Sequence, residues 1–145
     1  MPGHSRIATE PPYLCPMKLK HFNLPFASQL FKAFGDESRI RILHLVFKNG
    51  EMCISDLEQV LDFTQAKTSR HLVYLKNAGL VSFKKTDQWV YYSIKDEVTD
   101  VIGQLFGYLS RDPVLLNDLE TYRILYSNRE LAICNLHRQR QRRYV

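Results

Sequence analysis

Residues 64–80, Thr-Gln-Ala-Lys-Thr-Ser-Arg-His-Leu-Val-Tyr-Leu-Lys-Asn-Ala-Gly-Leu, constrain this chain more than any other stretch. Thr64 is a polar opener whose hydroxyl can accept a hydrogen bond from a free backbone N–H at a helix start. Thr68, Leu72 and Leu75 recur at helical spacing and make a seam that must be buried. Lys67, His71 and Tyr74 fall on another stripe, with Ala66 and Arg70 beside it. Gly79, after Asn77 and Ala78, stands where the helix should stop. The outcome is a short helix with one apolar face and one cationic, hydrogen-bonding face, the division that a helix lying in a DNA major groove requires.

Two β-rich runs follow, Val81-Ser82-Phe83 and Val90-Tyr91-Tyr92-Ser93-Ile94, separated by Lys84, Lys85, Thr86, Asp87 and Gln88. They predict a β-hairpin with a basic tip, built without the glycine common in such turns. Upstream, Leu24, Ala27, Leu30, Phe31 and Phe34 predict a first helix ending near Gly35. Asp36 should cap a second helix carrying Ile40, Leu43 and Phe47 on one side, with Arg39 and Arg41 outward and Asn49-Gly50 as its end. Ser55-Asp56-Leu57-Glu58 has the spacing of a capping box and predicts a third helix through Leu61. After the hairpin, Val98, Ile102, Leu105, Phe106 and Leu109 predict another helix. Asp112-Pro113 then opens one that carries Leu115, Leu116, Leu119, Tyr122, Leu125 and Tyr126. A short last helix is expected over 131–136.

The expected fold is therefore mainly α with a small β-hairpin. A winged helix-turn-helix domain spans residues 21–96, with an irregular proline-rich arm at 1–20, dimerisation helices at 97–137 and a basic tail at 138–145. Helices outside so small a winged core need something to bury their apolar faces, and a second copy of the chain is the simplest partner. Leu30, Phe34, Leu105, Leu109, Leu119 and Tyr122 are the contacts this homodimer would use.

The chain has 145 residues, 45% of them hydrophobic, enough for one domain with a real core. Its net charge of +5 permits a polyanionic partner. The distribution of charge is more telling. From Phe63 to Lys95 the bases are Lys67, Arg70, Lys76, Lys84, Lys85 and Lys95, against one acid, Asp87. The preceding segment, Glu51 to Asp62, holds Glu51, Asp56, Glu58 and Asp62 and no base. Positive charge thus gathers where contacts to duplex DNA would be made. No phosphate-binding glycine loop, nucleophile elbow or HExxH motif appears, so an enzyme is not expected. No apolar run is long enough to cross a bilayer, and no signal-peptide pattern opens the chain. Cys15, Cys53 and Cys134 form no CxxC pair. A cytoplasmic protein with no membrane partner fits these features.

Amide and cationic donors suit purine edges, which makes Gln65, Lys67 and Arg70 the candidates for base contacts. Ser69 and His71 are placed to position the phosphate backbone, and Tyr74, on the stripe of Lys67 and His71, is a further DNA-binding candidate. Lys84 and Lys85 would track the phosphates of the adjacent groove. Trp89, Tyr91 and Tyr92 read as strand aromatics packing a core rather than as a stacking platform.

Phe31-Lys-Ala-Phe-Gly-Asp-Glu-Ser-Arg-Ile-Arg-Ile-Leu43 resembles the opening of the ArsR-type winged-helix transcriptional regulators. Ser69-Arg70-His71-Leu72 with Leu75, Ala78, Gly79 and Leu80 resembles that family's recognition helix, Glu51 to Leu57 its third-helix segment, and Tyr91 to Ile94 its second wing strand. The resemblance covers residues about 30–95. It implies a homodimeric repressor of an operator with imperfect two-fold symmetry, released by a metal ion or another small signal. Two departures bear on the signal. Metal-sensing members often carry two cysteines in the third-helix motif, whereas this chain has Cys53 and then Ser55. The helix after the wing, 96–112, holds Asp96, Asp100 and Asp112 but no histidine for the family's second metal site. One thiolate does not satisfy a soft metal ion, so no cofactor is expected and metal binding is disfavoured. Cys53 then reads as a small buried hydrophobe, with thiol oxidation as the alternative sensor chemistry. A winged-helix protein-interaction module that binds no DNA is the competing reading of the whole.

Overall fold

A computed structural model describes residues 22–127. The proline-rich arm, Cys15, the expected helix over 131–136, Cys134 and the basic tail lie outside the described residues.

Six helices and three strands follow in the order α1 (Leu24–Ala33), α2 (Glu37–Asn49), β1 (Glu51–Cys53), α3 (Ile54–Leu61), α4 (Gln65–Asn77), β2 (Val81–Thr86), β3 (Trp89–Ile94), α5 (Asp96–Gly107) and α6 (Pro113–Ser127). The strands form one antiparallel sheet ordered β1-β3-β2. This is a winged helix-turn-helix fold with flanking helices.

Local chemistry sets most of the boundaries. Asn23, Asp36 and Thr64 each accept a backbone N–H three residues on, at 3.0, 3.1 and 3.2 Å. Asp112 accepts from both Val114 and Leu115, just where Pro113 starts α6. Gly50 ends α2 with a φ of 83°. At the end of α4 the Leu80 N–H reaches the Leu75 carbonyl and the Gly79 N–H that of Lys76, both at 3.0 Å. This double closure needs the positive φ of Gly79, 81°.

Four expectations change. The capping box at Ser55 does not form. Pairing of Glu51, Met52 and Cys53 with Ser93, Tyr92 and Tyr91 holds the chain extended up to Cys53. The helix therefore starts at Ile54, Cys53 takes the cap position without a side-chain bond, and Ser55 is carried inside α3. The wing tip is not basic either. Lys84 and Lys85 pair with Tyr91 and Val90 inside the hairpin, and the turn is Asp87-Gln88, where Asp87 supplies the positive φ. Arg41 is not a solvent-facing residue, because it grips Asp118 of α6 through two hydrogen bonds of 2.8 Å. Finally, α5 and α6 also help to close the protomer's own core, in which Val98, Ile102, Phe106 and Leu115 are buried.

That core is continuous through all the layers. Leu30 and Ala33 of α1, Ile42, Leu43, Leu45 and Val46 of α2, Leu57 of α3, and Leu72 and Leu75 of α4 are all buried together with Val98, Ile102 and Phe106 of α5. Leu30 is 0% exposed and offers no surface to a second copy. Leu119 and Tyr122 pack on the same core from α6.

Candidate nucleic-acid interface

The chain enters α4 through a tight link. Asp62 adopts the left-handed conformation, φ 54°, and the Phe63 N–H returns to the Glu58 carbonyl at 3.1 Å. This turn sets α4 across α3, while Thr68, Leu72 and Leu75 anchor its inner face. The opposite, outermost line of α4 carries Ala66, Arg70, Val73 and Asn77, all exposed. Gln65 and Lys76 are exposed on one flank; Lys67 and Tyr74 lie on the other.

Both flanks are held by cation–ring contacts. The Lys67 ammonium stands 3.8 Å from the Phe63 ring centre and that of Lys76 stands 4.6 Å from the ring of Phe83 in the wing. The Arg39 guanidinium lies 4.1 Å above the Tyr74 ring. Arg39 also donates to the Lys32 and Ala33 carbonyls at the end of α1, which locks α1, α2 and α4 together. Such contacts contribute about 0.5–1 kcal/mol each at exposed sites, and here they limit the rotamers of the basic side chains. Lys84 and Lys85 are exposed on opposite faces of the hairpin.

His71 is the least exposed of the expected contacts. It is 8% exposed, on the inner side of α4. Burial pushes its imidazole below the ordinary histidine value, opposed by Asp36 and helped by Arg39, Arg70 and Lys67. A ring this buried offers a phosphate little surface. Ser69 is half-buried beside the exposed line. Val73 and Asn77 were missed in sequence because an apolar and a neutral residue do not register in a search for charge. Their place on the outer line makes Val73 a candidate contact for a thymine methyl and Asn77 a candidate hydrogen-bonding partner.

Cys53 is buried, with its sulfur 3.2 Å from the Ser55 hydroxyl. Among the described residues no three His, Cys, Asp or Glu side chains converge as metal ligands. No helix among them is long and apolar enough to cross a membrane.

An α4 helix with Arg70 on its outer line and lysines on both flanks, set by a helix-turn-helix and followed by a basic wing, defines a winged helix-turn-helix of the regulatory class. The chain belongs to the ArsR family: the profile of "Bacterial regulatory protein, arsR family" matches residues 36–82. The cadmium resistance transcriptional regulatory protein CadC of Listeria innocua is 39% identical over 79 residues, covering 54% of this chain and 66% of CadC. The HTH-type transcriptional regulator MJ1325 of Methanocaldococcus jannaschii is 42% identical over 77 residues, covering 52% of this chain and 86% of that protein. Among solved structures, HlyU from Vibrio cholerae N16961 superposes with a TM-score of 0.56 at 31% identity, covering 60% of this chain and 95% of HlyU.

Proposed function

We propose that this chain is a sequence-specific, DNA-binding transcriptional repressor acting as a homodimer in the cytoplasm, and that it catalyses no reaction. One observation carries the reading: the outer line of α4 is centred on an exposed Arg70 and flanked by Lys67, Lys76 and the two wing lysines, while every apolar side chain of its inner seam is buried. In a dimer two such helices would enter successive major grooves, roughly 34–36 Å apart. Arg70 and Gln65 would read base edges, and Lys84 and Lys85 would hold phosphates. A signal that binds better to another dimer geometry would release the DNA by its differential affinity for the two states. Among the described residues Cys53 is a single thiol beside a serine hydroxyl, too few donors for a soft ion, which supports a signal other than a metal held there.

The dimer face follows from exposure. Phe34, just past α1, meets Phe106 of α5 with ring centres 5.6 Å apart, so these two helices are neighbours. Phe31 on α1 is 61% exposed and Tyr108, just past α5, is 89% exposed. Both are large apolar groups that a second copy would cover, with Phe34, Leu105 and Leu109 half-buried beneath them.

Binding isotherms on duplex fragments at several salt concentrations test the reading. Affinity should fall steeply with salt, and an Arg70→Ala, Lys84→Ala, Lys85→Ala triple variant should bind far more weakly with a flatter salt slope. Wild type that shows no salt-dependent duplex binding, or a triple variant of unchanged affinity, would favour the protein-interaction module instead.

A further inference from the structure

Of the four residues on the outer line of α4, Val73 fits a solvated helix face least. It is 52% exposed and lies opposite the buried seam of Thr68, Leu72 and Leu75. Valine favours a helix less than alanine does, because its branched side chain crowds the preceding turn. At this position it weakens the helix slightly and gains little burial within the protomer in return. Lys76, three residues on and so its neighbour on the helix surface, is held to one flank by the Phe83 ring, 4.6 Å from its ammonium. Val73 thus presents two methyl groups on the line that also carries the exposed Arg70.

A DNA duplex offers this surface one complement. Among the base edges of the major groove only thymine carries an apolar group, its C5 methyl. A side chain confined by the helix to one main rotamer reaches that methyl with little further loss of freedom. Spacing sets where the thymine lies. Val73 stands about 4.5 Å from Arg70 along the helix axis. Base pairs of B-DNA rise by about 3.4 Å, so a helix running along the groove sets the two side chains one or two base pairs apart.

We propose, resting on the DNA-binding reading above, that Val73 is a specificity-determining residue. It reads the C5 methyl of a thymine one or two base pairs from the purine that Arg70 contacts.

In vitro selection from a random duplex library, with the full chain, supplies the preferred operator. Each thymine in it is then replaced by uracil, which removes only the C5 methyl. One thymine in each half-site should respond, with binding about fourfold weaker for the loss of one methyl from an apolar contact. Bromine occupies the place of that methyl in 5-bromouracil, which should restore the affinity. Val73→Ala should bind the thymine and uracil operators equally, a coupling that a general loss of affinity would not produce. Alanine is the better helix former, so this variant should unfold at the same temperature as wild type or slightly above it. Selection with Arg70→Ala should relax the preference for a purine within two base pairs of the responsive thymine. The proposal is overturned if no thymine responds, if the response is as strong in Val73→Ala, or if the thymine lies further from the purine that Arg70 selects. Selective duplex binding with no methyl effect defeats this proposal alone, whereas a wild-type chain that enriches no duplex and shows no salt-dependent binding defeats the DNA-binding reading with it.

Discussion

Cutting the Arg41–Asp118 link should destabilise the protein unequally, depending on which partner is removed. The pair joins α2 to α6 through two hydrogen bonds of 2.8 Å. The Asp118 side chain is 2% exposed and that of Arg41 28%. Arg41→Ala takes the partner from a carboxylate that is 2% exposed and should cost about 3–5 kcal/mol, the range for an uncompensated buried charge. Asp118→Ala leaves a guanidinium that can swing toward solvent and keeps the Phe63 ring 5.5 Å away, so its cost should be smaller. One or two lost charge-assisted hydrogen bonds put it at about 1–2 kcal/mol. At roughly 3 °C per kcal/mol for a chain of this size, Tm falls by about 9–15 °C and about 3–6 °C respectively. The double replacement Arg41→Met, Asp118→Leu should recover most of the loss, since an apolar pair carries no desolvation cost. Urea denaturation at one fixed protein concentration reads all four species. The reasoning fails if Asp118→Ala costs as much as Arg41→Ala, or if Arg41→Ala costs below about 1 kcal/mol, the value of a solvent-exposed pair.

Three further outcomes are expected. His44 is buried edge-on against Phe106 at 5.0 Å, and desolvation, helped by Lys48, holds it below the ordinary histidine value of 6.5. The unfolded chain therefore takes up this proton first, so stability is full above that value and declines as pH falls below it; His44→Phe should flatten the difference between urea midpoints at about pH 7.5 and about pH 5.5, and equal slopes in the two proteins would refute this. Gly50→Ala should cost about 1 kcal/mol or more through backbone strain at φ 83° alone, since no atom lies within 4 Å of the added methyl; a neutral effect in thermal unfolding would contradict it. Phe31→Asp with Tyr108→Asp should convert a dimer into a folded monomer by light scattering, and a dimer that survives both changes would move the interface elsewhere.

Much of this protein was legible in the chain itself, wherever structure depends on neighbours in sequence. Thr64, Asp36 and Asp112 cap helices because a short polar side chain reaches a backbone N–H two or three residues on, whatever the rest of the fold does. Gly50 and Gly79 end helices because only they take the required φ without strain. The seam Thr68, Leu72, Leu75 and the exposed Gln65, Arg70, Lys84 and Lys85 follow from helical and strand periodicity. Only tertiary structure could decide the remainder. Glu51–Cys53 is a strand because β3 lies beside it, and that pairing moves the helix cap two residues back, from Ser55 to Cys53, so that the capping box does not form. His71 and Tyr74 are neighbours on one stripe of α4, yet the packing of α2 buries His71 and stacks Arg39 on Tyr74. Arg41 and Asp118 are 77 positions apart, and nothing local marks them as partners. Leu30 lies on the apolar stripe of α1 that a second copy could cover, but tertiary packing buries it completely in the protomer's own core. A capping side chain finds its acceptor or donor within its own turn, whereas burial and ion pairing depend on which distant element arrives on the other side.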